Sequence, residues 1–157
     1  MSTSAVETAL DLVRSYSGRK HFVGGRSSDL IRVAEKALGV EFPPSYRRFL
    51  EELGAGSISG SEVYGITDGT FTDSAVPNGI WLGLREREDS LLPAGLVVVS
   101  DSGEGDYLAI DARKSDGNGE APVVLWSPGA SVPGQHLEQA ATDSGSYFLE
   151  LVKEATA

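Results

Sequence analysis

The chain has 157 residues, 40% of them hydrophobic, and it carries 13 Lys and Arg against 23 Asp and Glu, a formal net charge of −10. This length fits one domain. Cysteine is absent, which excludes disulfides, a thiol nucleophile and cysteine-ligated zinc or iron–sulfur centres. The sequence has neither a long apolar run nor a basic, apolar leader, so we expect a cytoplasmic protein that does not enter a membrane.

The acidic charge is unevenly distributed along the chain. Residues 1–50 hold 8 basic and 5 acidic side chains, whereas residues 51–157 hold 5 basic and 18 acidic ones. Because phosphate binding depends on clustered Lys and Arg, this composition argues against a nucleic-acid partner and favours a partner with a cationic surface. Such polarity speeds the approach of charged partners. The alternative is that the acidity serves only solubility.

Three amphipathic helices are predicted in the first third of the chain, because apolar residues recur there at a spacing of three and four. The signals that start them are a capping box, a serine cap and a proline pair, and glycine follows each of them. In chain order the predicted helices run from a Ser4 cap to Gly18, from a Ser28 cap to Gly39, and from Pro43-Pro44 to Gly54. Residues 21–28 are predicted to form a loop.

From Gly54 onward the pattern changes to that of strands, and the strands from residue 96 onward, which are joined by short turns, predict an antiparallel meander. The predicted strands are 62–66, 96–100, 106–110 and 122–126, residues 54–61 and 67–79 are predicted loops, and residues 80–92 suit a short solvated helix. An apolar face on Tyr147, Phe148, Leu151 and Val152 predicts a closing helix. The whole order predicts an α+β fold, with N-terminal helices packed on a mainly antiparallel sheet and a C-terminal helix.

Two groups of motifs carry a resemblance to a known family. The first is Ile31-x-x-Ala34-Glu35-x-x-Leu38-Gly39-Val40-x-Phe42-Pro43-x-x-Tyr46-x-x-Phe49-Leu50. The second comprises Gly103-x-Gly105-Asp106, Leu108-x-Ile110-Asp111, Pro122-Val123-x-x-Trp126 and Tyr147-Phe148-Leu149-x-Leu151. In order and spacing they resemble the SUKH superfamily, the bacterial immunity proteins related to fungal Smi/Knr cell-wall regulators. The resemblance is strongest over residues 29–152 and implies that residues 1–157 form a single SUKH-like domain.

The resemblance implies a bacterial immunity protein of the toxin–antitoxin kind, which binds a cognate polymorphic-toxin domain and blocks its active site. Many such toxins act on nucleic acid, and a nuclease presents a cationic groove that an acidic surface can occupy. The alternative function is a Smi/Knr-like regulatory protein-interaction module without a toxin target.

Candidate toxin contacts are acidic side chains and two aromatic residues. The acidic candidates are Glu62, Asp68, Glu104, Asp106 and Asp111, and the aromatic candidates are Tyr64 and Trp126. Aromatic residues on a sheet face anchor many interfaces, but a place in the core is an equal alternative for both. The alternative for the acidic residues is that they are solvated surface residues without a partner contact. For Asp106 and Asp111, a further alternative is that they cap turns.

No catalytic, metal-binding or cofactor-binding residue is predicted, so the chain is not expected to be an enzyme. His21 and His136 lie in predicted loops, outside any metal motif and without an identifiable orienting partner. The carboxylates of residues 101–106 depart from a calcium loop at its sixth and twelfth positions. The glycines of residues 54–60 follow a helix rather than a strand, unlike those of a dinucleotide-binding turn.

Overall fold

The computed structural model describes residues 2–130 and 135–157, which contain five helices and seven strands. The helices are α1 (Ser2–Ser15), α2 (Ser28–Leu38), α3 (Pro44–Glu52), α4 (Gly79–Asp89) and α5 (Ser144–Thr156). The strands are β1 (Lys20–Phe22), β2 (Gly56–Ile58), β3 (Ser61–Val63), β4 (Leu96–Asp101), β5 (Tyr107–Asp111), β6 (Val123–Trp126) and β7 (Gln139–Ala141). This is the predicted α+β architecture.

The predicted helices are present, but two of the predicted starts are wrong. Helix α1 begins before the predicted Ser4 cap, and the Ser4 carbonyl lies inside the helix, where it accepts a hydrogen bond from Thr8 Oγ1 at 3.0 Å. Helix α2 is capped one residue earlier than predicted, by Ser27, whose side chain accepts from the Leu30 amide. Its predicted end is confirmed: Gly39 adopts a left-handed conformation (φ 70°) that an L side chain rarely takes.

A three-stranded antiparallel sheet in the order β1-β2-β3 is the largest departure from the prediction. Strands β1 and β2 fall in segments predicted as loops, because three-residue strands and a glycine-rich sequence carry no alternating pattern. Gly56 permits the pairing, since a Cβ atom at this position would lie 2.0 Å from the carbonyl oxygen of His21. The glycine therefore serves close packing of two strands rather than chain flexibility.

The predicted meander is confirmed as a four-stranded antiparallel sheet in the order β4-β5-β6-β7, with β7 as an unpredicted addition. The Tyr64 amide donates to the Val99 carbonyl at 2.7 Å, which links the end of β3 to β4 and joins the two sheets. The segment that suited a short helix forms α4, capped by Asn78, whose side chain accepts from the Ile80 and Trp81 amides.

The four-stranded sheet is buried on both faces. Val97 and Val99 of β4 belong to the large core formed with α1, α2, α3 and α5, whereas Leu96 and Val98 belong to a smaller core with Leu82 of α4. Burial on both faces explains why β4 is apolar at consecutive positions instead of alternating. The α5 side of this sheet carries the site described below.

Arg48 of α3 binds one carboxylate on α1 and one on its own helix. Its Nε donates to Glu7 at 2.7 Å and its Nη1 donates to Glu52 at 2.5 Å. These hydrogen bonds lower the pKa of Glu7 and of Glu52 below the ordinary value of 4.5. Because the pKa values are lower in the folded state, the stabilisation is present above pH 4.5 and is lost as the pH falls below it.

We therefore expect Arg48→Met to lower the free energy of unfolding at pH 7 by no more than about 1 kcal/mol, because the side chains are partly exposed. The difference from the wild type should shrink at pH 3, because protonation of Glu7 and Glu52 increases as the pH falls below 4.5. Urea denaturation at the two pH values measures it. Arg19, which makes no ion pair within residues 2–130 and 135–157, gives the control substitution Arg19→Met. An equal loss at both pH values would contradict the linkage.

Candidate protein-binding groove

A groove of about 730 Å³ lies between α5 and one end of the four-stranded sheet. Its floor follows a row of neighbouring residues across the strands: Ser100 pairs with Leu108, and Leu108 pairs with Leu125. The β2–β3 hairpin borders the groove as well. We call this feature the acidic groove; its lining residues are Gly60, Ser61, Glu62, Ser100, Asp101, Ser102, Gly103, Leu108, Leu125, Ala140, Tyr147, Glu150, Leu151 and Glu154.

One stripe of α5 forms a wall of the acidic groove. Tyr147, Glu150, Leu151 and Glu154 follow the spacing i, i+3, i+4, i+7, which places them on one face of a helix. Helix α5 begins after Asp143, whose side chain accepts from the Ser146 amide at 2.8 Å. This cap and the buried face of α5 therefore hold the stripe over the sheet.

Among the described residues, four carboxylates and no Lys, Arg or His side chain line the acidic groove; the carboxylates are Glu62, Asp101, Glu150 and Glu154. All four residues are exposed. Among the residues that the structure describes, Glu150 has only a 3.9 Å contact with Lys153, and the other three make no ion pair. Three of the four groove carboxylates are therefore unpaired within the described residues, and the groove carries an excess of negative charge.

Two tyrosines lie beside these carboxylates and remain neutral. Burial raises the pKa of Tyr64, and the charges of Asp101 and Glu62 raise it further. Burial also raises the pKa of Tyr147. A hydrogen bond with Ser100 partly opposes this increase, and the charge of Glu154 adds to it. Neutral phenols with raised pKa values suit packing and hydrogen bonding rather than nucleophilic chemistry.

The accessible acidic candidates lie at different places. Glu62 lines the acidic groove. Glu104 is exposed in the turn between β4 and β5, beside the groove. Asp106 is partly buried, and its carboxylate accepts a hydrogen bond from Ser127 Oγ at 2.7 Å. Asp68 is exposed in the loop after β3, where its carboxylate accepts from the Thr70 amide, and it does not line the groove.

The remaining three candidates are interior residues, which corrects the prediction that they contact a partner. Tyr64, Asp111 and Trp126 are 3%, 1% and 0% exposed. Trp126 stacks on Tyr107 with ring centroids 6.2 Å apart. Asp111 caps the short 3₁₀ helix after β5 and accepts from Arg113 Nε at 2.8 Å. Because a direct contact requires an accessible side chain, Tyr64 and Trp126 act as core residues and Asp111 as a turn cap.

Three groove carboxylates were not among the predicted contacts: Asp101, Glu150 and Glu154. A signal existed for the pair on α5, because two glutamates four residues apart beside the apolar face of a closing helix share one side of that helix. No sequence pattern connects that pair with Asp101 and Glu62. The packing of α5 on β4–β7 brings them to one groove.

The described carboxylates and histidines do not form a metal site. In residues 2–130 and 135–157, no group of three or more His, Cys, Asp or Glu side chains is placed to hold a metal ion. His21 and His136 are both exposed. The spread of the groove carboxylates suits several separate cations, such as Lys and Arg side chains of a protein. No helix in the described part of the chain has the length and apolar character needed to cross a membrane.

Residues 28–143 match the family model described as SMI1-KNR4 cell-wall, SUKH_6. The match begins with α2, contains β2 to β7, and ends just before α5. It therefore contains the floor of the acidic groove and the Glu62–Asp101 side, while the α5 wall follows the matched region. A match over most of the chain confirms the resemblance drawn from the motifs, and the chain belongs to the SMI1-KNR4 (SUKH) family.

Proposed function

We propose that this protein is a bacterial immunity protein, which binds the catalytic domain of a cognate polymorphic toxin in the cytoplasm and blocks its active site. The observation that carries the proposal is the acidic groove, where Glu62, Asp101 and Glu154 make no ion pair in the described part of the chain and Glu150 has only the 3.9 Å contact with Lys153. Family membership supports a protein-binding role, since SUKH proteins typically interact with proteins. The protein performs no chemistry in this proposal.

The charge of the groove favours a toxin that acts on nucleic acid. Such an enzyme binds phosphates with Lys and Arg side chains, so its substrate groove is cationic. Carboxylates can occupy the positions of substrate phosphates, while the body of the immunity protein excludes the substrate sterically. Complementary charge also speeds association, which is useful when a toxin must be neutralised before it acts.

The second candidate function is a Smi/Knr-like regulatory interaction module without a toxin target. The description of the matched family, SMI1-KNR4 cell-wall, favours it. In that case the acidic groove binds a basic segment of a protein in a cellular assembly. The two candidates differ in the identity of the partner and not in the chemistry of the contact.

Titration of this protein into the purified toxin domain encoded beside its gene tests the proposal. We expect a dissociation constant below about 1 μM by calorimetry, and loss of toxin activity at equimolar protein. Binding should weaken with added salt, because exposed charges are screened. No detectable binding at tens of micromolar, with both proteins folded, would contradict the immunity role and favour the regulatory module.

A further inference from the structure

We infer that the acidic groove takes one short basic segment of the partner, in which large apolar side chains are flanked by Lys or Arg residues. The identity of the partner rests on the proposed function, whereas the chemistry of the segment follows from the groove itself. Two independent features of the groove lead to this inference: an apolar floor that is only partly covered, and a rim of carboxylates of which three make no ion pair among the described residues.

The floor is part of the core that α5 does not cover. Leu108 is 9% exposed and lies next to Leu125, which is only partly buried. Tyr147 and Leu151 border these leucines from α5 and are also only partly buried. All four pack against the large hydrophobic core, so an apolar side chain placed here would extend that core and remove apolar surface from water.

The rim carries its charge on separate elements. Glu62 lies within β3 and Asp101 ends β4 at one side, and Glu150 and Glu154 lie one turn apart on α5. Uncompensated like charges repel, and cations brought by a partner relieve that repulsion. A guanidinium donates two parallel hydrogen bonds to one carboxylate, so arginine suits these positions well. A segment with basic residues only at one end would leave half of the rim unpaired.

The length of the groove favours a segment over a flat protein surface. Its floor crosses four strands, and neighbouring strands lie about 4.8 Å apart, so the row spans roughly 14 Å. That distance corresponds to about four extended residues or to about ten helical ones. A ten-residue peptide is therefore long enough to reach both carboxylate pairs.

A synthetic peptide provides the test. The probe has two central leucines with two arginines on each side, and glycine and serine elsewhere; one control peptide replaces the leucines by serine. The protein variants are Glu62→Gln with Asp101→Asn, and Glu150→Gln with Glu154→Gln. The matched control is Glu41→Gln with Glu51→Gln, two exposed carboxylates that make no ion pair with any described residue and do not line the groove. Circular dichroism and thermal melting verify that each variant is folded.

We expect the leucine–arginine peptide to bind the wild type with micromolar affinity, and each groove pair to weaken it about 3- to 10-fold, as for exposed ion pairs. The Glu41/Glu51 control should bind like the wild type. The serine peptide should bind at least about tenfold more weakly, because it cannot bury apolar surface on the floor. Equal binding of the serine peptide would reduce the interaction to charge attraction and overturn the inference, as would unchanged binding in both groove variants.

A second copy of this chain is another conceivable occupant, because residues 1–50 are net basic. Light scattering at increasing protein concentration measures whether the chain self-associates. Self-association that disappears in the Glu62/Asp101 variant would overturn the inference in favour of a homo-oligomer. The peptide result is also separable from the proposed function. Peptide binding without toxin binding would support the inference and reject the immunity role. Toxin binding that is equal in all variants would support the immunity role and overturn the inference.

Discussion

Replacing Phe49 by alanine is expected to lower the free energy of unfolding by about 3–5 kcal/mol through a cavity in the core. Phe49 is 2% exposed, and its ring centroid lies 5.0 Å from that of Phe148 on α5 and 6.5 Å from that of Phe22 on β1. The residue thus joins α3 to the closing helix and to the strand that was not predicted. A loss of this size is a large fraction of the stability of a single domain.

Urea denaturation followed by circular dichroism measures the effect of Phe49→Ala. Val33 on α2 provides a control, because it is apolar but 53% exposed, so Val33→Ala should change stability by less than about 0.5 kcal/mol. An unchanged midpoint for Phe49→Ala would contradict the packing of α3 against α5. That packing also positions the α5 wall of the acidic groove, so this variant is unsuitable for mapping the interface.

Reversing two charges of the acidic groove should have the largest effect on binding. For Glu62→Lys with Asp101→Lys, we expect the association rate constant with the toxin domain to fall about 10- to 100-fold at low salt. The reason is twofold, since attraction is lost and two cations then face a cationic partner. The dependence of the rate on salt should also become flatter, because fewer opposite charges remain to be screened.

Stopped-flow mixing at several salt concentrations measures these rates. The matched control is Glu41→Lys with Glu51→Lys, which makes the same change of net charge away from the groove. Glu104→Lys, in the turn beside the groove, should have a smaller effect than the pair within it. Equal slowing by the groove pair and its control would show that only the total charge matters and would remove the groove from the interface.

Local sequence signals were sufficient wherever a structural element depends on near neighbours. Gly39 ends α2 because its left-handed conformation is a local requirement, and Pro44 begins α3 because its fixed φ is already helical. The β4–β5 hairpin was predicted from a β-branched strand, a glycine-rich turn and a second apolar strand. Strands β1, β2 and β7 were missed because their short sequences lack alternating polar and apolar residues, and each is held in place by pairing with residues outside its own segment.

For the aromatic candidates Tyr64 and Trp126, the sequence alone does not distinguish a core residue from an interface residue. A tryptophan at the end of an apolar strand is compatible with both a core and an interface, because burial of a large ring is stabilising in both environments. The choice depends on what covers that face of the sheet. Here the smaller core covers Trp126 completely, together with Leu82 and Leu92 from the segment around α4.

The sequence by itself determined the fold class, the family, the order of most elements and the excess of negative charge in residues 51–157. The tertiary structure alone decided which of the carboxylates lie in the same groove. Glu62 and Asp101 meet Glu150 and Glu154 because α5 packs across β4–β7 and β3 joins the edge of β4. Charge composition is a sum over the chain, whereas a binding surface depends on distances between residues far apart in sequence, which only packing establishes.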